Sequence, residues 1–161
     1  MPFGVNRRTT VALPFMRSVT TVSESQAAII LKGQENVPWR TVVCVRRQVP
    51  DWWVLAKSKH REVDFVHSPV CASIEPRFAM QVWRFIRGAL PRFAGPVLLF
   101  CSEGRHRSGV IAALTQRGRL LVSIAYLRRA GFRARLREWA LLLILERRLN
   151  RIGNSTFNWK R

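Results

Sequence analysis

Short apolar runs separated by turn residues divide the chain into predicted strands and helices. Three runs, 41–45, 62–67 and 97–100, are rich in apolar or β-branched residues, which is typical of strands in a partly buried sheet. Apolar residues at helical spacing predict helices over 24–32 and 77–90. The predicted order along the first hundred residues is therefore helix, strand, strand, helix and strand.

Local signals mark the ends of these elements. Ser23 and Gln26 match a capping box at the start of the first helix, and Gly33 ends that helix. Pro76 opens the second helix. The stretch 51–55 fits either a short strand or a surface patch. Its two adjacent tryptophans either pack in the core or an interface, or stack on the bases of a nucleic acid.

In the second half of the chain a helix is predicted to begin at Arg107 and a last helix to cover 134–150. Gly118 either interrupts the helix from Arg107 or marks a turn before a separate helix over 119–130. One face of the last helix is predicted to be apolar and buried, and it comprises Leu136, Trp139, Ala140, Leu143 and Ile144. The order of elements predicts an α/β fold with a small, partly parallel central sheet flanked by helices.

The chain is long enough for one domain with its own core. We place that domain at residues 24–150. A basic amino-terminal arm, 1–23, is predicted before it, and a basic carboxyl-terminal tail, 151–161, after it.

The segment after strand 97–100 carries the candidate chemistry. Cys101 follows the strand, Gly104 lies in the loop after it, and Arg107 begins an apolar helical run. Such a loop directs backbone N–H groups toward one point at the positive end of a helix, which makes an anion site. A thiolate in that loop can attack phosphorus, and a guanidinium can hold two phosphate oxygens.

The nine residues from Cys101 onward, CSEGRHRSG, resemble the signature loop of the cysteine-dependent phosphatases, Cys-x-x-Gly-x-x-Arg-(Ser/Thr)-Gly, and are closest to its dual-specificity members. The resemblance implies that Cys101 is the nucleophile, that Arg107 holds the phosphate, and that Ser108 assists the departure of the thiolate. The implied phosphate-binding residues are Gly104, Arg105, His106 and Arg107. It also implies a small central sheet with this loop at a strand end and helices on both faces.

Two features depart from the family pattern. The family usually has His directly before the cysteine, where this chain has Phe100. The family also has an upstream Asp that protonates the leaving oxygen, and the corresponding segment, 70–73, contains no acidic residue. Glu75 and Asp64 are the acidic residues closest to replacing it. Loss of general acid catalysis costs roughly 10²–10⁴-fold in rate.

Charge is the most unusual property of the composition. The chain has 28 Lys and Arg against 9 Asp and Glu, a net charge of +19 at pH 7. Such an excess repels itself in a compact state, and a polyanionic partner relieves that repulsion. RNA is the leading candidate because phosphate neutralisation favours dense arginine, and an anionic membrane surface is the second. A basic surface that is merely solvated is the third interpretation.

The basic residues concentrate near the two ends of the chain. Residues 1–23 contain no acidic residue, and residues 117–161 carry twelve basic residues against two acidic ones. The predicted RNA-binding residues are Arg7, Arg8, Arg17, Arg128, Arg129, Arg133, Arg135, Arg147, Arg148, Arg151, Lys160 and Arg161. An acid-free segment with Arg and Ser/Thr is also typical of mitochondrial targeting sequences, so the mitochondrial matrix is the predicted location and the cytoplasm the alternative.

Cysteine and histidine positions predict neither a disulfide framework nor a metal site. Cys44, Cys71 and Cys101 form no Cys-x-x-Cys pair, and the three histidines have no metal-ligand spacing with them. No apolar run approaches the ~18 residues of a membrane span. We therefore predict no metal, no cofactor and no membrane span.

Three functions follow from these patterns. The first is a non-enzymatic, RNA-associated subunit of a ribonucleoprotein, such as the mitochondrial ribosome or its assembly machinery, in contact with ribosomal RNA and neighbouring proteins. The second is an active cysteine-dependent phosphatase acting on a phosphoprotein, a phosphoinositide or an RNA 5′-phosphate. An RNA-binding adaptor built on a phosphate loop is the third. The net charge favours the first of these functions, the ribonucleoprotein subunit, because the excess of basic residues is a property of the whole chain.

Overall fold

The computed structural model of the protein describes residues 19–103, 107–115 and 135–155. Within these ranges the strands are β1 (Val19–Ser23), β2 (Thr41–Cys44), β3 (Asp64–His67) and β4 (Val97–Cys101). They form one all-parallel sheet in the order β1-β4-β2-β3. The helix predicted over 119–130 lies outside the described residues.

Five α-helices are described. They are α1 (Glu24–Gly33), α2 (Trp53–Lys59), α3 (Phe78–Arg84), α4 (Arg107–Thr115) and α5 (Leu136–Ser155). A π-helical turn, Phe85–Ala89, and a 3-10 turn, Leu90–Arg92, continue α3 toward β4. Among the described residues, no helix is long and apolar enough to cross a membrane.

Helices cover both faces of the sheet. Successive side chains of β4 alternate between the two faces, as a strand requires. Leu99 and Cys101 belong to the apolar cluster that also contains α3, α4 and α5. Leu98 and Phe100 belong to the cluster that contains α1 and α2. The predicted α/β fold with a flanked central sheet is confirmed.

The register brings the carboxyl ends of the strands to one side of the sheet. Ser23 of β1 pairs with Cys101 of β4, and Cys44 of β2 pairs with Phe100. His67 of β3 pairs with Cys44. We call the side formed by these strand ends the carboxyl edge.

The predicted capping box at the start of α1 is present. The Gln26 backbone N–H donates to Ser23 Oγ at 3.2 Å, and the Ser23 N–H donates to Gln26 Oε1 at 3.0 Å. Two orphan donors of the first helical turn are thereby satisfied. The helix ends at Gly33, one residue beyond its predicted end.

The predicted domain, 24–150, stays a prediction, but elements of the fold extend past both of its predicted limits. Val19–Ser23 was predicted to belong to the arm 1–23, but it forms β1 because its β-branched residues pair with β4. The tail was predicted to begin at Arg151, but α5 continues to Ser155. The rest of the arm and of the tail lies outside the described residues.

The stretch around the two tryptophans is a helix instead of the strand or surface patch predicted for 51–55. Trp53 and Ala56, three positions apart, both bury against the sheet. The Trp53 ring lies edge-on to Phe65 with ring centroids 5.0 Å apart. Trp52 is half-buried, and its ring centroid lies 5.5 Å from that of Phe100. The tryptophans therefore pack against the core.

The apolar face predicted for α5 is wrong in part. Trp139 is buried as predicted, but Leu136 and Ile144 are 83% and 48% exposed. The stripe that is buried comprises Glu138, Trp139, Leu142, Glu146 and Leu149. Glu138 can be buried because its Oε2 accepts a hydrogen bond of 2.6 Å from the Ala79 N–H in the first turn of α3. A polar residue therefore occupies the packed face.

Candidate functional site

The connection from β4 to α4 lies at the point where the helices that follow the strands switch from one face of the sheet to the other. β4 lies between β1 and β2, whose following helices pack on one face of the sheet, while α4 packs on the other. A crevice opens at such a point, outside the carboxyl ends of the strands, and it is the usual ligand site of open α/β sheets. The candidate loop therefore occupies the position that the topology favours for binding.

Three predicted site residues lie at this end of the sheet. Cys101 Sγ lies 3.1 Å from Ser108 Oγ, and both residues are buried. Arg107 is the first residue of α4, and its Nη1 donates to the Val70 carbonyl at 3.2 Å. The thiol, the hydroxyl and the guanidinium thus gather at the N-terminus of α4, where backbone N–H groups have no helical acceptor. Gly104, Arg105 and His106 lie outside the described residues.

The two acidic candidates lie at different ends of the sheet. Asp64 begins β3 and pairs with Thr41, which pairs with Val97. Val97 is four residues before Cys101, about 13 Å along the strand at 3.3 Å per residue. The structure therefore places Asp64 at the edge opposite to Cys101.

Glu75 lies in the loop that Arg107 contacts. The Glu75 N–H donates to the Ala72 carbonyl at 3.0 Å, and the Ala72 N–H donates to Glu75 Oε1 at 3.2 Å. The same loop is tied to Arg107 through Val70. Of the two acidic candidates, Glu75 is therefore the one on the side of the candidate site, with one carboxylate oxygen held in its own turn.

Three further polar residues gather at the carboxyl edge and were missed in the sequence. Glu24 Oε2 lies 2.5 Å from Arg46 Nη1, and the Glu24 N–H donates to the Ser102 carbonyl at 3.3 Å. His67 Nε2 donates to the Arg46 carbonyl at 2.9 Å. Each residue ends a strand or closely follows one, which is the signal that could have found them. Within the described ranges, no three metal-ligating side chains gather as a metal site.

Comparisons with known proteins leave this site to be interpreted from its own geometry. No family model matches the chain, and no curated protein is significantly similar to it. The Cys-x5-Arg pattern therefore stays a resemblance carried by the residues from Cys101 to Gly109.

The predicted RNA-binding arginines that the structure describes form two separate groups. Arg135 immediately precedes α5, whereas Arg147, Arg148 and Arg151 lie toward its other end, and all four are exposed. The helical rise of 1.5 Å per residue separates Arg135 from Arg147 by about 18 Å. The other predicted RNA-binding residues, Arg7, Arg8, Arg17, Arg128, Arg129, Arg133, Lys160 and Arg161, lie outside the described residues.

Two thiols near the site are held in the protonated form. Burial raises the pKa of the Cys44 and Cys71 thiols, and the Glu75 carboxylate raises the pKa of Cys71 further. The positive charge of Arg107 acts on both in the opposite direction, but it does not cancel the effect of burial. The Cys44 thiol also donates to the Gln48 carbonyl at 3.9 Å.

The raised pKa of Cys44 predicts that stability falls at alkaline pH. The unfolded chain releases the thiol proton first, so the free energy of unfolding falls as the pH rises above about 8.5. The loss is about 1.4 kcal/mol for each unit by which folding raises the pKa. Urea denaturation at pH 7.5, 9 and 10 measures it, and the Cys44→Ala variant is expected to show a shallower pH dependence. Equal slopes in the two proteins would contradict the prediction.

Proposed function

We propose that this protein binds phosphate groups at the β4–α4 loop and associates with RNA without hydrolysing them. The observation that carries the proposal is the gathering of Cys101, Arg107 and Ser108 at the N-terminus of α4. Free N–H groups and the helix dipole favour an anion there. A guanidinium adds a planar fork that matches two phosphate oxygens.

The position of the acidic residues supports binding without turnover. Asp64 lies at the opposite edge of the sheet, and one Glu75 oxygen already accepts a hydrogen bond from Ala72. A site that lacks a placed general acid loses roughly 10²–10⁴-fold in rate. Phe100, which stands where the related phosphatases have His, packs on the face of the sheet away from Cys101.

The charge of the chain supports RNA as the partner. A net charge of +19 is relieved by a polyanion, and exposed arginines lie at both ends of α5. The proposed setting is a ribonucleoprotein, such as the mitochondrial ribosome or its assembly machinery. There, ribosomal RNA and neighbouring proteins would contact the chain. The acid-free segment 1–23 supports the mitochondrial matrix as its location.

The second candidate function is an active cysteine-dependent phosphatase, and the contact between Cys101 and Ser108 favours it. In this reaction the Cys101 thiolate attacks phosphorus, the bond to the leaving oxygen breaks, and that oxygen takes a proton from Glu75 or water. Water then hydrolyses the phosphocysteine to inorganic phosphate and thiolate. The Ser108 hydroxyl donates a hydrogen bond to the sulfur as it leaves.

The Arg107→Gln variant tests the phosphate site. It is expected to weaken the binding of a labelled single-stranded RNA by about 10–100-fold, because a hydrogen bond to a charged group contributes about 1.5–3 kcal/mol. Fluorescence anisotropy measures the affinity. The matched control is Arg61→Gln, which removes the same charge from an exposed residue near the amino end of β3. Equal affinities of the two variants would show that the loop does not hold the phosphate.

The Cys101→Ser variant separates the two candidate functions. For the binding protein, wild type and Cys101→Ser bind RNA alike, and neither hydrolyses p-nitrophenyl phosphate above the buffer rate. For the phosphatase, only the wild type hydrolyses it, and acid quenching traps a phosphocysteine. The second result would replace the first proposal.

A further inference from the structure

A second basic surface lies in a groove between α3 and α5. The groove encloses about 450 Å³ and includes the apolar side chains of Met80 and Leu141. Four exposed arginines line it: Arg77, Arg84, Arg135 and Arg137. We call it the α3–α5 groove, and nothing in the sequence pattern set these four residues apart as a group.

The charge of the groove is almost uncompensated. Its acidic lining residue is Glu138, which is buried and accepts a hydrogen bond from the Ala79 N–H. None of the four guanidinium groups pairs with a carboxylate among the residues that the structure describes. Four cations around one cavity repel each other, and an anionic ligand removes that repulsion.

The backbone at the head of the groove is strained. Arg77 has φ of 77° and ψ of 3°, the left-handed conformation, and it is the non-glycine residue with positive φ in the described part of the chain. This conformation costs roughly 1–3 kcal/mol for a residue with a Cβ, and such strain concentrates at functional sites. Arg77 is therefore held at the groove against a local energetic cost.

Two neighbouring residues, Val70 and Cys71, form hydrogen bonds with residues of the two candidate sites. Gln81 lines the groove, and its Oε1 accepts a hydrogen bond of 2.7 Å from the Cys71 N–H. The preceding residue, Val70, accepts the hydrogen bond from Arg107. These two neighbouring residues therefore link the groove to Arg107.

We propose that the α3–α5 groove binds the backbone of single-stranded RNA. Guanidinium forks match phosphate oxygens, and Met80 and Leu141 provide apolar surface against which a base can rest. An acidic peptide would supply charge but no flat base to cover that surface. The inference rests on the proposed function in taking RNA as the ligand, and it adds a site distinct from Cys101 and Arg107.

A double substitution on α5 and its amino-terminal flank tests the groove. Arg135→Gln with Arg137→Gln is expected to weaken the binding of a labelled ten-nucleotide oligouridine by tenfold or more. The slope of log affinity against log salt is expected to fall by about 1.4, because each lost phosphate contact contributes about 0.7 for a single strand. The matched control, Lys57→Gln with Arg61→Gln, removes two charges from exposed residues near the amino end of β3, outside the groove. We expect a change within about twofold for this control.

A second variant distinguishes a loss of binding from a loss of folding. Arg77→Gly removes the guanidinium and relieves the left-handed backbone, so it is expected to bind RNA at least threefold more weakly while its thermal midpoint is unchanged or raised. Weaker binding by a protein of undiminished stability cannot arise from unfolding. Binding equal to that of the wild type would count against the groove.

Each outcome of the titrations decides a different point. If the groove variants and the control bind alike, the groove inference is overturned while RNA association stands. If the wild type binds no RNA, both the RNA association and the groove inference fail. If a poly-glutamate peptide loses affinity selectively in the groove variants while oligouridine does not, the groove is a peptide site and the choice of RNA is overturned.

Discussion

Replacing Phe100 with alanine is expected to lower the free energy of unfolding by about 3–5 kcal/mol. Phe100 is fully buried, and its ring centroid lies 5.5 Å from that of Trp52 and 5.9 Å from that of Trp53. The substitution leaves a cavity beneath Trp53, the first residue of α2, and Trp52, which directly precedes that helix. The hydrophobic transfer free energy of the Phe100 ring and its van der Waals contacts can be recovered only if that helix moves.

Urea denaturation measures this loss against a matched surface change. Ile29→Ala, on the exposed side of α1, also removes an apolar side chain and is expected to change stability by less than about 0.5 kcal/mol. Phe100→His introduces the residue that usually precedes the cysteine in the cysteine-dependent phosphatases, whose signature loop this segment resembles. Phe100→His is also expected to destabilise the protein, because the polar imidazole would be buried among aromatic rings. A loss below 1 kcal/mol for Phe100→Ala would contradict the packing described for this face.

Replacing Gly95 with alanine is expected to cost about 2–5 kcal/mol. Gly95 has φ of +56°, which costs a residue with a Cβ about 1–2 kcal/mol. An added Cβ would lie 2.7 Å from Arg40 Cβ and closer still to Arg40 Cγ, and relieving such a clash costs typically 1–3 kcal/mol.

The effect of Gly95→Ala is also expected at the start of β4. The Arg40 N–H donates to the Pro96 carbonyl at 2.9 Å, and Thr41 Oγ1 donates to the Ala94 carbonyl at 2.8 Å. These bonds join the turn at Gly95 to the start of β2, which pairs with the strand that carries Cys101. Disturbing the turn therefore disturbs the placement of the candidate site.

Gly88→Ala is the control for this prediction. A Cβ at Gly88 meets nothing within 4 Å, and the residue lies in the π-helical turn that continues α3. It is expected to leave stability unchanged or raise it by up to about 1 kcal/mol, because alanine restricts the unfolded chain. Thermal unfolding followed by circular dichroism compares the two variants. If Gly95→Ala unfolds at the same temperature as the wild type, the close contact with Arg40 does not exist.

Local signals in the sequence were enough to place most elements that approach the candidate site. The capping box of Ser23 and Gln26, the apolar run before Cys101 and the helix start at Arg107 all lie where they were predicted. Each depends on residues within a few positions of one another, so the sequence alone carries the information. The same holds for the mixture of strands and helices along the chain that predicts an α/β fold.

Contacts between distant parts of the chain decided the rest. Residues 53–59 form a helix because Trp53 meets Phe65 and Phe100, and Glu138 is buried because it caps a helix that begins sixty positions earlier. The parallel register brings the ends of β1 and β2 beside the end of β4, places the end of β3 on the same side of the sheet, and leaves Asp64 at the opposite end. The strand order and the helix packing set these distances, and neither follows from periodicity. The sequence by itself therefore determined the strand before Cys101 and the helix that begins at Arg107, whereas only the tertiary structure decided which residues of other elements lie at the same end of the sheet.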